Sequence, residues 1–386
     1  MRSILFCATV DYHFKLFHMP YIKWFKEQGW EVHVAASGSL PLSGVDHKFD
    51  LPIERSPFHL NNRKAYKQLK SIIDQNNYQM IHCHTPMGGI IARLAARSAQ
   101  KQGTKVIYTA HGFHFCKGAP MINWLVYYPI ELTMARYTDC LITINEEDYQ
   151  LAAQRFKAKQ VKHVHGVGIN TNRFKPIDEY RKKERKKSFG YDPDDFLLFY
   201  AAEFNKNKNQ QFLINCLAMI KEDIPNAKLL LAGEGKLLDS CRELAAKLDV
   251  THMVNFLGFR DDLDQLLPMC DAAVASSLRE GLPVNIMEAM ACGLPVVAVD
   301  NRGHRELVKD NINGWVLEPG NKEVFAEKVK TLYQSKIICD NLGKSARELI
   351  NKYTIPEVSK ELEVVYSRFM LEASYGPQNK YNRAHI

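Results

Sequence analysis

Short apolar runs alternate with amphipathic stretches along the chain, and the alternation starts afresh in the second half; this most limits the possible folds. In the first half the runs are Ile4–Thr9, Val32–Ala36, Met80–His84, Val106–Ala110, Cys140–Ile144 and Val161–His165. Between them, Met19–Gln28, Lys64–Gln75, Gly89–Ala99 and Glu146–Phe156 carry helical periodicity. A strand that is apolar on both sides must be covered on both sides, which is the condition of a parallel sheet with helices above and below. The pattern restarts with strands expected at Phe196–Ala201, Lys228–Ala232, Val254–Leu257, Ala272–Ala275 and Pro295–Val299. Helices are expected at Gln210–Ile220, Leu237–Leu248 and Val284–Ala291. The expectation is an α/β chain of two Rossmann-like, doubly wound domains. The division read from the sequence is a first domain over 1–176, a linker region over 177–195 and a second domain over 196–355. A helix over 356–372 is placed to return to the first domain, and a flexible tail covers 373–386.

Charge is uneven. Residues 1–176 hold 22 Lys+Arg against 12 Asp+Glu, a net +10, whereas residues 196–386 hold 23 against 25. A basic first half favours an anionic partner such as a phosphorylated substrate or an anionic membrane surface. The charge run Arg181–Lys187 lacks interleaved aromatic residues, so a nucleic-acid partner is not expected. Nine cysteines stand singly with no C-x-x-C pair, which fits a reducing compartment. The opening Met1–Thr9 is too short for a secretory signal and reads as a buried first strand. The apolar window Ala119–Ala135 is interrupted by Asn123, Pro129 and Glu131 and is too short to span a bilayer. A cytoplasmic protein, peripheral on the inner membrane face, is expected.

The segment Ser276–Ala298 carries the most chemistry. A strand ends near Ala275, a loop follows, Pro283 opens a helix and Gly293 closes it. A helix beginning at the carboxyl edge of a parallel sheet directs free N–H groups and its positive dipole end at that edge, where anions bind. Glu280 lies in the loop and Glu288 within the helix. Two carboxylates beside a phosphate site repel the phosphate, so their natural targets are hydroxyl groups. A sugar nucleotide offers both a diphosphate and flanking hydroxyls.

Glu280 and Glu288, with seven residues between them, resemble the E-x(7)-E signature of the retaining GT-B glycosyltransferases of glycosyltransferase family 4. The likeness continues through Glu288–Ala298, Arg302–Val308 and Asn313–Leu317, and Phe17–Gly29 is similar to bacterial exopolysaccharide and capsule glycosyltransferases. The resemblance implies a GT-B fold with a cleft between the two domains. It also implies that Glu280 contacts the donor sugar and Glu288 the ribose hydroxyls, with Gly281, Leu282 and Pro283 on the donor side. Lys208, in Ala202–Asn209, matches the diphosphate-binding lysine of the family. Glu203 stands where the family has Arg and Asn209 where it has Gly, and Lys206 is the candidate replacement cation. His111, in Thr109-Ala110-His111-Gly112, matches a histidine that touches the donor sugar, and His84 is placed on the acceptor side. The family's glycine pair after the first strand is replaced by Val10-Asp11-Tyr12-His13.

No metal and no cofactor is expected. His82/His84 and His163/His165 are not completed by other ligands, and Asp192/Asp194 and Asp262/Asp264 read as local structure. The resemblance implies transfer of a hexosyl or N-acetylhexosaminyl unit from a nucleotide sugar, a UDP-sugar, to a polyprenyl-diphosphate-linked saccharide. The alternatives are a sugar-nucleotide 2-epimerase of the same architecture and an inactive subunit supporting a partner enzyme.

Overall fold

The computed structural model describes residues 2–374, so residues 375–386 of the expected tail lie outside the described residues. The chain divides into two compact units. The first holds residues 1–168 together with the segment from 355 onward, and the second holds residues 169–354.

In the first unit, β1 (Ser3–Val10), β2 (Glu31–Ser37), β3 (His47–Asp50), β4 (Met80–His84), β5 (Lys105–Ala110), β6 (Cys140–Thr143) and β7 (Val161–His163) form one sheet. Its order is β3-β2-β1-β4-β5-β6-β7, parallel throughout. The helices are α1 (Tyr12–Phe17), α2 (Met19–Glu27), α3 (Asn61–Asn76), α4 (Pro86–Ala95), α5 (Arg97–Lys101), α6 (Met121–Met134) and α7 (Glu146–Arg155). Successive strand residues point to opposite faces. Leu5, Cys7, Ile81 and Cys83 therefore enter one apolar core, and Ile4, Phe6, Ala8 and Met80 enter the other. This double burial is why these strands read as unbroken apolar runs. β3 escaped the sequence reading because His47-Lys48-Phe49-Asp50 is a partly exposed edge strand with no such run.

The second unit contains α8 (Glu179–Ser188), β8 (Phe196–Ala201), α9 (Gln210–Met219), β9 (Ala227–Ala232), α10 (Leu238–Lys247), β10 (Val254–Gly258), α11 (Leu263–Leu266), β11 (Ala272–Ala275) and α12 (Val284–Ala291). It continues through β12 (Val296–Val299), α13 (Arg302–Leu307), β13 (Gly314–Leu317), α14 (Lys322–Gln334) and α15 (Lys336–Leu349). The sheet order is β10-β9-β8-β11-β12-β13, again all parallel. The charged stretch Arg181–Lys187 forms most of α8, where Lys182 and Lys186 both bind Asp271, at 2.7 and 3.0 Å. The last helix, α16 (Ile355–Ser374), belongs to the first unit. It buries Val358, Leu362, Tyr366 and Phe369 against the β1–α2 side of the sheet. All nine cysteines are unbridged, and all but Cys339 are buried. Among the described residues no helix is long and apolar enough to cross a membrane.

Candidate active site

In each sheet the winding reverses between two adjacent strands, β1 and β4 in the first unit and β8 and β11 in the second. Crossover helices leave to opposite faces there, which opens a crevice at the carboxyl ends of the strands. The residues singled out from the sequence collect at these two places.

In the second unit the loops after β8 and β11 are tied together. Leu278 N donates to Asn207 O at 2.8 Å, Asn207 Nδ2 to Arg279 O at 3.0 Å and Ser276 Oγ to Lys208 O at 2.7 Å. Asn205 Oδ1 accepts from the backbone of Asn207 and Lys208, both at 3.0 Å, which fixes the turn carrying the lysine. Lys208 Nζ then reaches Glu280 Oε1 at 2.5 Å, with both side chains mostly buried. Glu280 is braced from the start of α13: Arg302 Nε donates to its carbonyl at 3.0 Å. Gly303 lies so close that a Cβ there would stand 2.7 Å from Glu280 Cβ and 3.0 Å from Pro283 Cδ. Asn301 caps α13 by accepting from His304 N at 3.0 Å, and its amide donates to Ser277 O at 2.8 Å.

Pro283 caps α12, whose first turn lies beside this pair, and Leu282 and Pro283 are buried. Gly281 is half-buried in the same loop. Glu288 sits in the body of α12. Burial pushes its carboxyl up to about 7, against the pull of Arg173. Arg173 is itself held by Asp264 at 2.7 Å and by the carbonyl of Asp261 at 2.7 Å. Arg173 and Asp264 are long-range neighbours of Glu288 that no local motif announces. Lys206 and Glu203 are both exposed, and Lys206 makes no ion pair among the described residues. Asn209 adopts φ +53°, left-handed backbone that suits Gly or Asn, so this position demands a conformation rather than a side chain.

In the first unit His84 ends β4, and His111 follows β5 one strand away. His111 Nε2 and His84 Nδ1 stand 3.3 Å apart. His84 is only 1% exposed and lies behind other imidazole rings. Those rings are His111, His13 of α1 and His18 at the α1–α2 junction. His82 lies beside His84, ring centroids 4.1 Å apart, but both His82 nitrogens are engaged, by Tyr366 Oη and Thr109 Oγ1, each at 2.8 Å. Asp11, at the family's glycine pair, is buried and bound by Lys48 Nζ at 2.5 Å and Leu40 N at 2.7 Å, leaving Tyr12 to start α1. Thr85, with φ +63°, holds β1 to α4 by accepting from Thr9 N at 2.9 Å. Beside His13 lies a cavity of about 320 Å³, mainly apolar, lined by Tyr12, Met87, Ile90, Phe115 and Tyr127 among others, with Glu131 at its wall. The Asp pairs serve local structure: Asp192 Oδ1 accepts from Asp194 N at 2.9 Å, and Asp262 and Asp264 bind Arg260 and Arg173.

Residues 181–349 match the family described as glycosyl transferases group 1, and residues 3–145 match glycosyl transferase 4-like. A Bacillus subtilis protein provisionally named glycosyltransferase EpsD is 50% identical over 371 residues, covering 96% of this chain and 97% of that one. The Escherichia coli UDP-Gal:alpha-D-GlcNAc-diphosphoundecaprenol alpha-1,3-galactosyltransferase is 25% identical over 80% of each chain. Among solved structures, HepE of Anabaena in complex with UDP and glucose superposes with a TM-score of 0.79 at 19% identity, over 95% of this chain and all of that one. With matched family segments in both units and a full-length relative at half identity, the chain belongs to the glycosyltransferases of this group and has their two-domain GT-B fold.

Proposed function

We propose that the chain moves a hexosyl or N-acetylhexosaminyl unit from a UDP-sugar to a lipid-linked saccharide, with retention of anomeric configuration, in bacterial exopolysaccharide or capsule synthesis. The observation that carries this reading is the Lys208–Glu280 pair at the switch point of the second sheet, beside the start of α12. A cation and a helix N-terminus suit the diphosphate, and a carboxylate suits a sugar hydroxyl. Barrier lowering comes mainly from stabilising the charge that gathers on the departing diphosphate. Lys208 and the first turn of α12 supply that stabilisation without a divalent ion, and exposed Lys206 adds a mobile cation. Glu280 orients the hexose, and Glu288 accepts from the ribose hydroxyls. The acceptor oxygen bonds to the anomeric carbon as the bond from that carbon to the diphosphate breaks. The departing phosphate oxygen takes the acceptor proton on the same face, and nucleoside diphosphate leaves.

The family resemblance assigns His111 to the donor sugar and His84 to the acceptor side. The apolar cavity of the first unit fits an acceptor with a hydrocarbon portion. The names of two relatives support the lipid-linked acceptor: the galactosyltransferase above, and a Campylobacter jejuni N,N'-diacetylbacillosaminyl-diphospho-undecaprenol alpha-1,3-N-acetylgalactosaminyltransferase, 25% identical over 92% of this chain and 95% of that one. The +10 first half and the exposed Phe58, Leu60, Met121 and Leu125 suit an anionic membrane surface on the cytoplasmic side.

The test is a donor screen. Purified chain is incubated with UDP-glucose, UDP-galactose, UDP-GlcNAc, UDP-GalNAc and GDP-mannose, with and without membrane lipid extract and without added metal. Release of nucleoside diphosphate from one donor, stimulated by lipid and lost in Glu288→Ala, is the expected result. Conversion of a donor without acceptor would instead identify an epimerase, and absence of release or binding with every donor would leave a non-catalytic subunit.

A further inference from the structure

Four imidazoles of the first unit face one another, and of these the proposed transfer draws only on His111 and His84. His13, His18, His84 and His111 each bring one ring nitrogen within 4.8 Å of those of the other three. His13 Nε2 and His18 Nε2 are 3.1 Å apart, and His111 Nε2 and His84 Nδ1 are 3.3 Å apart. The rings are splayed, with His13 at 84° to His111, 49° to His18 and 49° to His84. His13, His18 and His84 are 8%, 3% and 1% exposed, and His111 is half-buried.

Burial disfavours the charged form of all four imidazoles. His82 next door is a satisfied core histidine, whereas His84 Nδ1 faces His111 Nε2 within the group and His84 Nε2 is buried with no hydrogen-bond partner, so either one, but not both, can serve as the ligand. A tetrahedral zinc ion with Zn–N bonds of about 2.0–2.1 Å sets its ligand nitrogens roughly 3.3–3.4 Å apart. Two pairs already stand near that spacing, and the remaining ones reach it by inward side-chain rotations closing up to about 1.4 Å. Imidazole nitrogens without carboxylate select zinc, cobalt, nickel or copper over magnesium or calcium.

We propose that His13, His18, His84 and His111 form a binding site for one divalent transition-metal ion, of which zinc is the type. The ion ties α1 and the α1–α2 junction to the ends of β4 and β5. It also takes the His111 lone pair. Provided His111 contacts the sugar, as proposed above, zinc then inhibits transfer and a chelator restores it.

The test uses the full chain stripped with a chelator and titrated with cobalt, followed by zinc. The expected result is one equivalent of cobalt with the intense visible bands of tetrahedral coordination, displaced by zinc, and a rise in melting temperature with either ion. His18→Gln and His84→Gln each weaken binding at least about 100-fold, while His252→Gln, in the other unit, leaves it unchanged. His13→Gln, the most exposed of the three buried positions, serves if His84→Gln fails to fold. Weak octahedral cobalt spectra, or folded variants that bind as the parent does, would overturn the site. Tetrahedral binding with no effect on transfer would keep the metal site and remove His111 from the reaction instead.

Discussion

Lys208 Nζ lies 2.5 Å from Glu280 Oε1, joining the loops that follow two neighbouring strands. The pair holds each group in place, and in the transfer proposed above a diphosphate and a sugar hydroxyl divide it between them. Lys208→Ala is expected to lower kcat/KM by about 100- to 1,000-fold, the scale of losing one charge-stabilising donor. Glu280→Gln is expected to reduce kcat strongly while UDP binding, measured by calorimetry, stays within about threefold. Near-normal transfer by Glu280→Gln would remove this residue from the mechanism.

Glu288 gives a pH signature. Its carboxyl titrates near 7, raised from 4.5 by burial. If its carboxylate accepts from ribose hydroxyls, the affinity for an intact UDP-sugar falls as pH drops below 7, by up to about tenfold per unit. Glu288→Gln should bind more weakly and flatten the profile. The stability linkage has the same origin: the folded chain holds this proton more tightly than the unfolded one. The stability so gained is full below 4.5 and is lost as pH rises through 7. Glu288→Gln therefore stabilises more at pH 8 than at pH 5, read from urea unfolding at the two values.

Gly303 is required by close approach. An alanine Cβ would overlap Glu280 Cβ at 2.7 Å, and Glu280 would have to move. A displacement near 1 Å costs up to about 100-fold in rate. Gly303→Ala is expected to reduce kcat by roughly 10- to 100-fold with circular dichroism unchanged.

The outer residues of α6 provide the membrane test. Met121, Ile122 and Leu125 are exposed, whereas Trp124, Tyr127 and Tyr128 of the same helix pack on the core. The double substitution Met121→Glu, Leu125→Glu should weaken flotation with anionic vesicles at least about tenfold and leave UDP binding intact. Parent protein that fails to float with such vesicles would exclude the membrane partner.

Much of this molecule is written locally. Strands buried on both faces, such as Phe196–Ala201 and Ala272–Ala275, are legible as apolar runs because double burial admits no polar alternation. Glu280 and Glu288 lie close in sequence, and Pro283 and Gly293 bracket the helix that holds Glu288, so the motif and its setting are read together. Even Asn209 in place of Gly has a backbone cause, a left-handed position open to both residues. Sequence periodicity did not reveal β3, whose edge position removes the apolar run. Nor did it reveal the Arg173–Asp264 pair near Glu288, drawn from a turn and from the short helix α11. The histidine cluster is the clearest case. In the sequence His13 stands only within Val10-Asp11-Tyr12-His13 and His18 only within Phe17–Gly29, and nothing local links either to His84 or His111; they meet because β1, β4 and β5 end side by side. Local pattern determined which segments are strands and helices, because burial imposes its period residue by residue. The order of the strands in each sheet decided which loop tips meet, because that depends on contacts between residues far apart in the chain.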